Sequence, residues 1–341
     1  MINQNKKIIK LVTHNGSFHA DDIFACATLC LMLEKRGEEF EIIRARDEEI
    51  IKTGDYVFDV GNVYDAEKNR FDHHQKEGAG ARENGIPYSS FGLVWKKFGK
   101  DLCGSEEVVK RVEKRIVQQV DANDNGFNII ASIIPGVVPY GIYDVVFTFN
   151  PNYKEENPDF DGAFLRAGIF IKNLLMKEIE EAEDQEYIHK YIFNAINNKK
   201  DNSPIIVLDE YVPREKIWIE FINYLDILFV VAPRDIKKES WKLIVLLNNI
   251  GFFEFRKLLP KSWAGLRGEE LQKITGVSDA LFAHRNLFMA IVKSKQGAIK
   301  LAELALLESN SYNLYIIMAF IDEMKIEASA GRGGNGVVRW R

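Results

Sequence analysis

The stretch Phe58–Gln75, FDVGNVYDAEKNRFDHHQ, constrains the fold because it couples a buried apolar run to a carboxylate and a histidine pair. Asp59 directly follows the apolar run that ends at Phe58. A carboxylate at the C-terminal end of a buried strand faces the crevice where open α/β sheets bind ligands. The cluster Asp72-His73-His74 follows it. A ligand-binding crevice is favoured here, and the alternative is a solvated turn that contains one satisfied histidine.

The segments around this stretch predict a parallel sheet with crossover helices. Lys7–Val12 is typical of a buried strand, and the apolar residues of Ala20–Arg36 recur at helical spacing until Gly37. Phe40–Arg44 and Tyr56–Val60 predict two further strands. Strands that alternate with helices in this way are typical of an α/β domain.

Histidines and aspartates are concentrated near the predicted ends of these strands. Imidazole and carboxylate ligands suit divalent Mn, Zn or Fe, and the absence of neighbouring cysteine ligands argues against a structural zinc. A further acidic motif, VDANDNG, places Asp121 at the end of a predicted helix, where backbone carbonyls disfavour a carboxylate that has no cation nearby. A solvated helix end is the alternative for Asp121. The histidines and aspartates that precede Asp121 and are candidates for this site are His14, His19, Asp21, Asp22, Asp59, Asp72, His73 and His74.

The length of 341 residues allows two domains. We predict a catalytic domain over residues 1–150, a mixed α/β domain over 151–310 and a tail over 311–341. The junction is placed in Pro135–Pro158, which is rich in Pro and Gly. Two helices are expected to follow it, over 161–176 and 184–197.

The composition limits the function classes. A net charge of -5 does not suggest a protein that coats nucleic acid nonspecifically, although a local basic cleft remains compatible with it. No apolar run approaches the length that spans a membrane, and the first residues contain no run expected of a signal peptide. Three cysteines are too few for a disulfide framework, so we expect a cytoplasmic location.

Basic residues with aromatic neighbours mark the predicted second domain. Such residues suit contacts with phosphates and stacking on bases, and we assign them to substrate binding. Solvated lysines on an amphipathic helix are the alternative for part of this surface. The candidates are Arg256, Lys257, His284, Arg285 and Lys295.

Four motifs in order, HNGSFHADD, DVGNVYD, RFDHHQ and VDANDNG, resemble the melanocyte-proliferating-gene family. That family is a branch of the DHH phosphoesterase superfamily, which includes RecJ-type exonucleases and manganese-dependent inorganic pyrophosphatases. The resemblance implies a DHH-type parallel-sheet catalytic domain and a smaller mixed α/β C-terminal domain that closes over the substrate.

The resemblance also implies roles for individual residues. Asp59 would be shared by two metal ions, and His74 would face the substrate phosphate, so His74 and Asp72 are the catalytic candidates. His19 departs from the superfamily pattern, since it replaces an aspartate and has one extra residue of spacing. The C-terminal Gly-rich substrate motif of many relatives is not intact in this chain. The implied metal ligands are His14, His19, Asp21, Asp59, His73 and Asp121.

These implications lead to the expectation of a 3′-to-5′ exonuclease on RNA or short oligonucleotides. Two divalent ions, Mn²⁺ or else Mg²⁺, about 3.5–4 Å apart, would clamp the phosphate and activate a water molecule. A hydrolase of small phosphorylated molecules, such as a cyclic dinucleotide, nanoRNA or pyrophosphate, is the alternative enzyme. A non-catalytic, metal-stabilised binding protein is the alternative from another class. The sequence does not determine the oligomeric state.

The residues from Met318 onward resemble the first residues of an Obg-type GTPase. Only the opening of that domain is present, which is too little to bury a core of its own. We therefore expect a tail that is disordered or packs as an extra strand.

Overall fold

The computed structural model describes residues 7–127, 129–199, 202–249, 251 and 254–308. Contacts divide the chain into two compact units between Lys190 and Tyr191. The tail at 311–341 lies outside the described residues, so the expectation for it remains a prediction.

The first unit is built on a five-stranded sheet with the order β2-β1-β3-β5-β4. Its strands are parallel except for the last one, which runs antiparallel to its neighbour. The prediction of an α/β fold with a parallel-sheet domain is confirmed. The strands are β1 (Ile9–Thr13), β2 (Phe40–Arg44), β3 (Tyr56–Phe58), β4 (Tyr64–Asp65) and β5 (Arg70–Phe71).

The helices of the first unit begin with α1 (Ala20–Arg36), which has the predicted bounds. Gly37 ends it with a φ of +66°, a left-handed conformation that glycine adopts without steric cost. Cys26 and Cys30 are buried in α1. The other helices are α2 (Glu48–Lys52), α3 (Ser90–Cys103), α4 (Glu106–Val112), α5 (Gln118–Asp124), α6 (Ile142–Phe147) and α7 (Phe160–Asn197).

The end of α5 differs from the prediction of a helix over 106–120. A π-helical segment, Glu113–Val117, joins α4 to α5 without a break, and the helix continues to Asp124. Asp121 therefore lies inside α5 and is fully buried. The extra turn brings a different carboxylate, that of Asp124, to the helix end.

Helix α7 explains why the two units divide at residue 190 and not at 150. Its first part belongs to the core of the first unit, where Phe164, Ile171, Leu175 and Ile179 are buried. The prediction of two separate helices over this stretch is wrong, because the polar residues between them occupy the exposed side of one continuous helix. Ile179 and Ala182 keep the buried side intact through that polar stretch.

The second unit contains a five-stranded sheet with the order β11-β12-β8-β7-β6, in which only β6 and β7 pair in parallel. Its mixed α/β character agrees with the prediction. The strands are β6 (Ile205–Val207), β7 (Phe229–Pro233), β8 (Trp241–Val245), β9 (Leu247–Asn249), β10 (Glu254–Phe255), β11 (Ala280–Ala283) and β12 (Met289–Val292). The helices are α8 (Arg214–Phe221), α9 (Gly268–Thr275) and α10 (Lys295–Leu307). Across the described residues, no helix has the length and apolar character needed to cross a membrane.

Candidate metal centre

Asp59 is the carboxylate on which the centre is built. It follows the last residue of β3 and has a φ of +53°, in the left-handed region that aspartate tolerates better than most residues. Its Oδ2 lies 3.2 Å from His14 Nε2, and its Oδ1 lies 3.4 Å from His73 Nε2. Ser90 Oγ donates a hydrogen bond of 3.1 Å to Oδ1. Burial opposes ionisation, yet the contacts with His14 and His73 hold the pKa of Asp59 well below its usual range.

His14, Asp22 and Asp59 form the first group of potential ligands. His14 follows β1, and its Nε2 lies 3.1 Å from Asp22 Oδ2. The other oxygen of Asp22 accepts a hydrogen bond from the backbone N–H of His19, so the first turn of α1 fixes the carboxylate. Although burial disfavours the charged ring, Asp22 and Asp59 raise the pKa of His14 to about 10. The group therefore attracts positive charge strongly.

His73 lies at the centre of the second group. Its Nε2 is 3.6 Å from Asp21 Oδ2, 3.4 Å from Asp59 Oδ1 and 3.3 Å from Asp124 Oδ2. His19 is close to the same carboxylates. One potential ligand atom each of His19, Asp21 and Asp124 lies within 4.8 Å of the other two. Burial and then the charges of Asp59 and Asp124 raise the pKa of Asp21 well above its ordinary value. Crowded buried carboxylates of this kind are stabilised by a cation.

The buried polar atoms of the two groups fit divalent metal ions. Within the described part of the chain, both oxygens of Asp21 and Nε2 of His73 are buried without a hydrogen-bond partner. Buried polar atoms are normally satisfied, so a bound cation would suit these atoms. Carboxylate oxygen and imidazole nitrogen are donors that Mn²⁺, Zn²⁺ and Fe²⁺ accept.

Asp72 and His74 form a pair at the edge of these groups, and His74 is also close enough to Asp59 and His73 to form a third group with them. Asp72 is buried, and its Oδ1 accepts hydrogen bonds from the backbone N–H and from Nδ1 of His74, at 3.1 and 2.8 Å. The backbone N–H of Asn62 donates to Oδ2 of Asp72 at 2.6 Å. The hydrogen bond from Asp72 raises the pKa of His74 above its ordinary value, although burial opposes the rise. His74 is thus oriented by Asp72 as a half-exposed group whose protonated form is favoured.

A cavity of about 1160 Å³ opens beside the centre. His14, Asp59, Asp72 and His74 contribute to its lining. Basic side chains lie on the same lining, and these are Arg46, Lys52, Lys68 and Arg70. Arg70 donates to backbone carbonyls, and Lys52 and Lys68 pair with Glu49 and Asp65.

The structure brings most of the predicted residues of the first domain together. Two further carboxylates, Asp22 and Asp124, lie in the ligand groups although the ligand set implied by the resemblance does not include them. Asp22 adjoins Asp21 in the motif HADD, and its place in the first turn of α1 could have indicated it. The residues brought together as predicted are His14, His19, Asp21, Asp59, Asp72, His73 and His74.

Asp121 is the exception, because the structure places it apart from these residues. It belongs to none of the ligand groups found among the described residues. Its carboxylate lies 2.7 Å from Arg82 Nη1, and it accepts hydrogen bonds from Ser89 Oγ and from the backbone N–H of Gly92, at 2.5 and 3.0 Å. A Cβ at Gly92 would lie 1.9 Å from Asp121 Oδ2, so this contact requires glycine. Asp124 stands in the position predicted for Asp121.

Arg256 and Lys257 have structural contacts in the second unit, contrary to their predicted role in substrate binding. The Arg256 guanidinium donates to carbonyls that include those of Phe221, Tyr224 and Ile227. Lys257 Nζ donates to the carbonyl of Leu306, near the end of α10. Both side chains donate to backbone carbonyls of segments that are remote in sequence. The residues next to Arg256 and Lys257 in the sequence do not indicate these contacts.

The remaining candidates of the second unit differ in their surroundings. Lys295 pairs with Asp209 at 2.5 Å, and His284 packs its ring 4.2 Å from that of Phe288. Arg285 is exposed. Their role in substrate binding remains a prediction.

The fold and the site define an α/β protein with a buried histidine–carboxylate centre suited to divalent metals. The family model MYG1_exonuc, described as an uncharacterised protein family (UPF0160), matches residues 10–306. The chain therefore belongs to this family, and the resemblance carried by the four motifs is confirmed.

Relatives of similar length occur in distant eukaryotes. The chain is 28% identical to the MYG1 exonuclease of Homo sapiens over 338 residues, which are 89% of this chain and 87% of the relative. It is 28% identical to the MYG1 protein of Dictyostelium discoideum, with 86% and 95% covered. Identity to the MYG1 protein of Saccharomyces cerevisiae is 29%, with 89% and 97% covered.

Solved structures similar to the chain include RecJ proteins. RecJ from Thermus thermophilus, in complex with Mn²⁺, has a TM-score of 0.27 and 11% identity, over 88% of this chain and 52% of that chain. An exonuclease RecJ bound to manganese has a TM-score of 0.27 and 12% identity, over 88% and 91%.

Proposed function

We propose that this chain is a divalent-metal-dependent phosphoesterase that acts as a 3′-to-5′ exonuclease on RNA or short oligonucleotides. The observation that carries the proposal is the position of Asp59 between two groups of ligands. One of its oxygens faces His14, and the other faces His73. A carboxylate shared in this way supports a centre for two ions, as in enzymes that displace groups at phosphorus.

The assignment of ligands follows from these contacts. His14, Asp22 and Asp59 would hold one ion, and Asp21, Asp59, His73 and Asp124 would hold the other, with His19 beside them. When bound, divalent ions supply charge neutralisation at the phosphate and lower the pKa of a water molecule. The buried atoms without a protein partner support this assignment.

The pair Asp72–His74 would act on the substrate directly. Asp72 accepts the Nδ1 proton of His74, so Nε2 is directed to a ligand in the cavity and donates to it when the ring is protonated. A protonated His74 can neutralise charge on a phosphate oxygen or donate its proton to the leaving oxygen. The half-exposed ring suits a group that exchanges protons with solvent.

The lining of the cavity supports a substrate with a phosphate backbone. Arg46, Lys52 and Lys68 lie on the same lining as His14 and His74. A volume of about 1160 Å³ is large enough for a few nucleotides rather than a duplex. Relatives of the family named as exonucleases further support a nucleic-acid substrate.

A substrate panel tests the proposal. RNA and DNA oligonucleotides labelled at the 5′ end, dinucleotides and pyrophosphate are incubated with Mn²⁺ or Mg²⁺. We expect the 5′-labelled RNA to shorten stepwise, and Asp59→Asn to abolish the reaction. Asp101→Asn is the matched control, because Asp101 is an exposed aspartate paired with Arg36. Cleavage of pyrophosphate or dinucleotides alone would favour the hydrolase of small molecules, and no cleavage by metal-loaded protein would contradict the proposal.

A further inference from the structure

Three aromatic rings lead from the metal centre to the protein surface. The rings of His19 and Tyr143 have centroids 6.4 Å apart and planes inclined by 12°. The rings of Tyr143 and Phe147 are also 6.4 Å apart and inclined by 14°. Because His19 belongs to a ligand group with Asp21 and Asp124, this row of nearly parallel rings begins at the centre itself.

The position of the row is fixed by the chain around it. Val146 on α6 is fully buried in the core of the first unit, so its neighbour Phe147 points outward. Asn150, just beyond α6, accepts a hydrogen bond from the backbone N–H of Phe18 and donates one to its carbonyl, at 3.1 and 2.9 Å. These two bonds tie the end of α6 to the residue before His19. The rings are therefore held in a defined relation to the ligands.

Phe147 is not explained by packing in the core. Its exposed fraction is 54%, whereas Phe149, two residues later, packs against the core. A large aromatic side chain on the surface gains little from the hydrophobic effect unless a partner covers it. An exposed ring parallel to its neighbours offers a flat face, and flat faces are what nucleobases stack on.

We propose that Tyr143 and Phe147 form a stacking platform for the bases that flank the phosphodiester at the metal centre. The inference rests on the proposed nuclease function. It states that the aromatic side chains of α6 bind a nucleobase of a single strand. Because every base presents a π face, the platform accepts all sequences, while the metal centre holds the phosphate. Stacking on an aromatic side chain changes affinity by roughly 5- to 150-fold.

Two oligonucleotides test the platform through hydrolysis. They differ only in whether the two nucleotides at the terminal phosphodiester carry bases or are abasic. Phe147→Leu should raise KM for the base-bearing strand by roughly 5-fold or more and leave the abasic strand unaffected. Phe147→Tyr should restore the wild-type KM, since it retains the ring. Tyr153→Leu is the control, because Tyr153 is 98% exposed.

Binding gives a second readout that does not require hydrolysis. With 2-aminopurine at the same positions, stopped-flow fluorescence should show quenching by wild type and by Tyr153→Leu, and much weaker quenching by Phe147→Leu. Circular dichroism and metal content should be the same in all variants. Quenching that depends on Phe147 in protein that cleaves no phosphoester would support the platform and contradict the nuclease. Equal quenching by wild type and Phe147→Leu, or none by wild type, would overturn the platform even if cleavage is normal.

Discussion

Arg82 and Asp121 form a buried ion pair, with Arg82 Nη1 2.7 Å from Asp121 Oδ2. The side chains are only 7% and 0% exposed. Nε of Arg82 donates to Glu113 at 2.7 Å, so the guanidinium connects the loop after the histidine pair to the helix that carries Asp124. Burial raises the pKa of Asp121 to about 6, although the neighbouring Arg82 opposes the rise. The pair thus holds α5, the helix that ends at Asp124, and it engages the carboxylate of Asp121 with a cation of the protein itself.

Asp121→Asn should therefore lower stability and retain the metal, whereas Asp124→Asn should lower the metal content. Removing one partner of a buried pair costs about 3–5 kcal/mol, so Asp121→Asn should lower the free energy of unfolding in EDTA by that order. Asp124→Asn should not lower it, because it relieves a crowded acidic group. Urea unfolding and elemental analysis measure both properties. Loss of metal with unchanged stability in Asp121→Asn would return the ligand role to Asp121.

Asp59→Asn should lose most of the bound metal. Asp59 faces both groups of ligands, whereas His14 belongs to one, so its replacement should reduce metal content more than His14→Ala does. Elemental analysis of protein purified without chelator provides the measurement, and Asp101→Asn should match wild type. Equal metal content in wild type and Asp59→Asn would contradict a shared carboxylate.

The sequence predicts those residues of the centre whose position is set by a single strand end or by the start of a single helix. Asp59 follows a buried apolar strand, and α1 begins and ends where apolar periodicity and Gly37 indicate. The ends of β1 and β3 meet because these strands are parallel neighbours in the sheet. Asp124 was not among the predicted ligands because the helix ends at Asp124, about one turn beyond its predicted end.

The roles of basic residues were not predictable in the same way. Arg256 and Lys257 lie in a basic and aromatic stretch that is typical of nucleic-acid contacts. Their partners are carbonyls of distant segments, such as those of Tyr224 and Leu306, which approach only in the folded chain. The sequence shows where a basic side chain is present. Tertiary contacts decide whether that side chain donates to backbone carbonyls or is available to bind a ligand.

Lys242 on β8 should give the second unit a measurable pH dependence of stability. Only 5% of the residue is exposed, and Nζ donates to the carbonyl of Val212 at 2.7 Å. Burial, opposed by Glu215 and reinforced by Arg214, lowers the pKa of Lys242 to about 8. Between pH 8 and the ordinary value of 10.5, the unfolded chain binds this proton and the folded chain does not. The contribution of Lys242 to the free energy of unfolding is therefore at its lowest below pH 8. It increases as the pH rises from 8 to 10.5.

Lys242→Met should remove that gain. The free energy of unfolding of wild type, relative to the variant, should increase by roughly 3 kcal/mol from pH 8 to 10.5. Urea unfolding at several pH values measures it, with exposed Lys300→Met as the control. Parallel pH curves for wild type and Lys242→Met would show that Lys242 keeps an ordinary pKa.

His73 and His74 are adjacent in sequence but should have separate functions. His73 Nε2 lies among three carboxylates, whereas His74 Nδ1 is bound to Asp72 and its ring is half-exposed. His73→Ala should lower both metal content and activity, because it removes a ligand. His74→Ala should retain the metal and lower kcat by roughly 10²- to 10⁴-fold, the range expected for a positioned acid. His189→Ala, a histidine outside the ligand groups, is the control for both.

The pH profile of kcat tests the partnership of His74 with Asp72. The hydrogen bond from Asp72 raises the pKa of His74 above 6.5, so the protonated ring persists to higher pH than a free histidine would. Activity that requires this proton is present below the raised pKa and is lost as the pH rises through it. Asp72→Asn should therefore move the basic limb to lower pH, and His74→Ala should remove the limb. Metal lost from His74→Ala but retained by His73→Ala would exchange the two roles, and full activity in both variants would contradict the phosphoesterase.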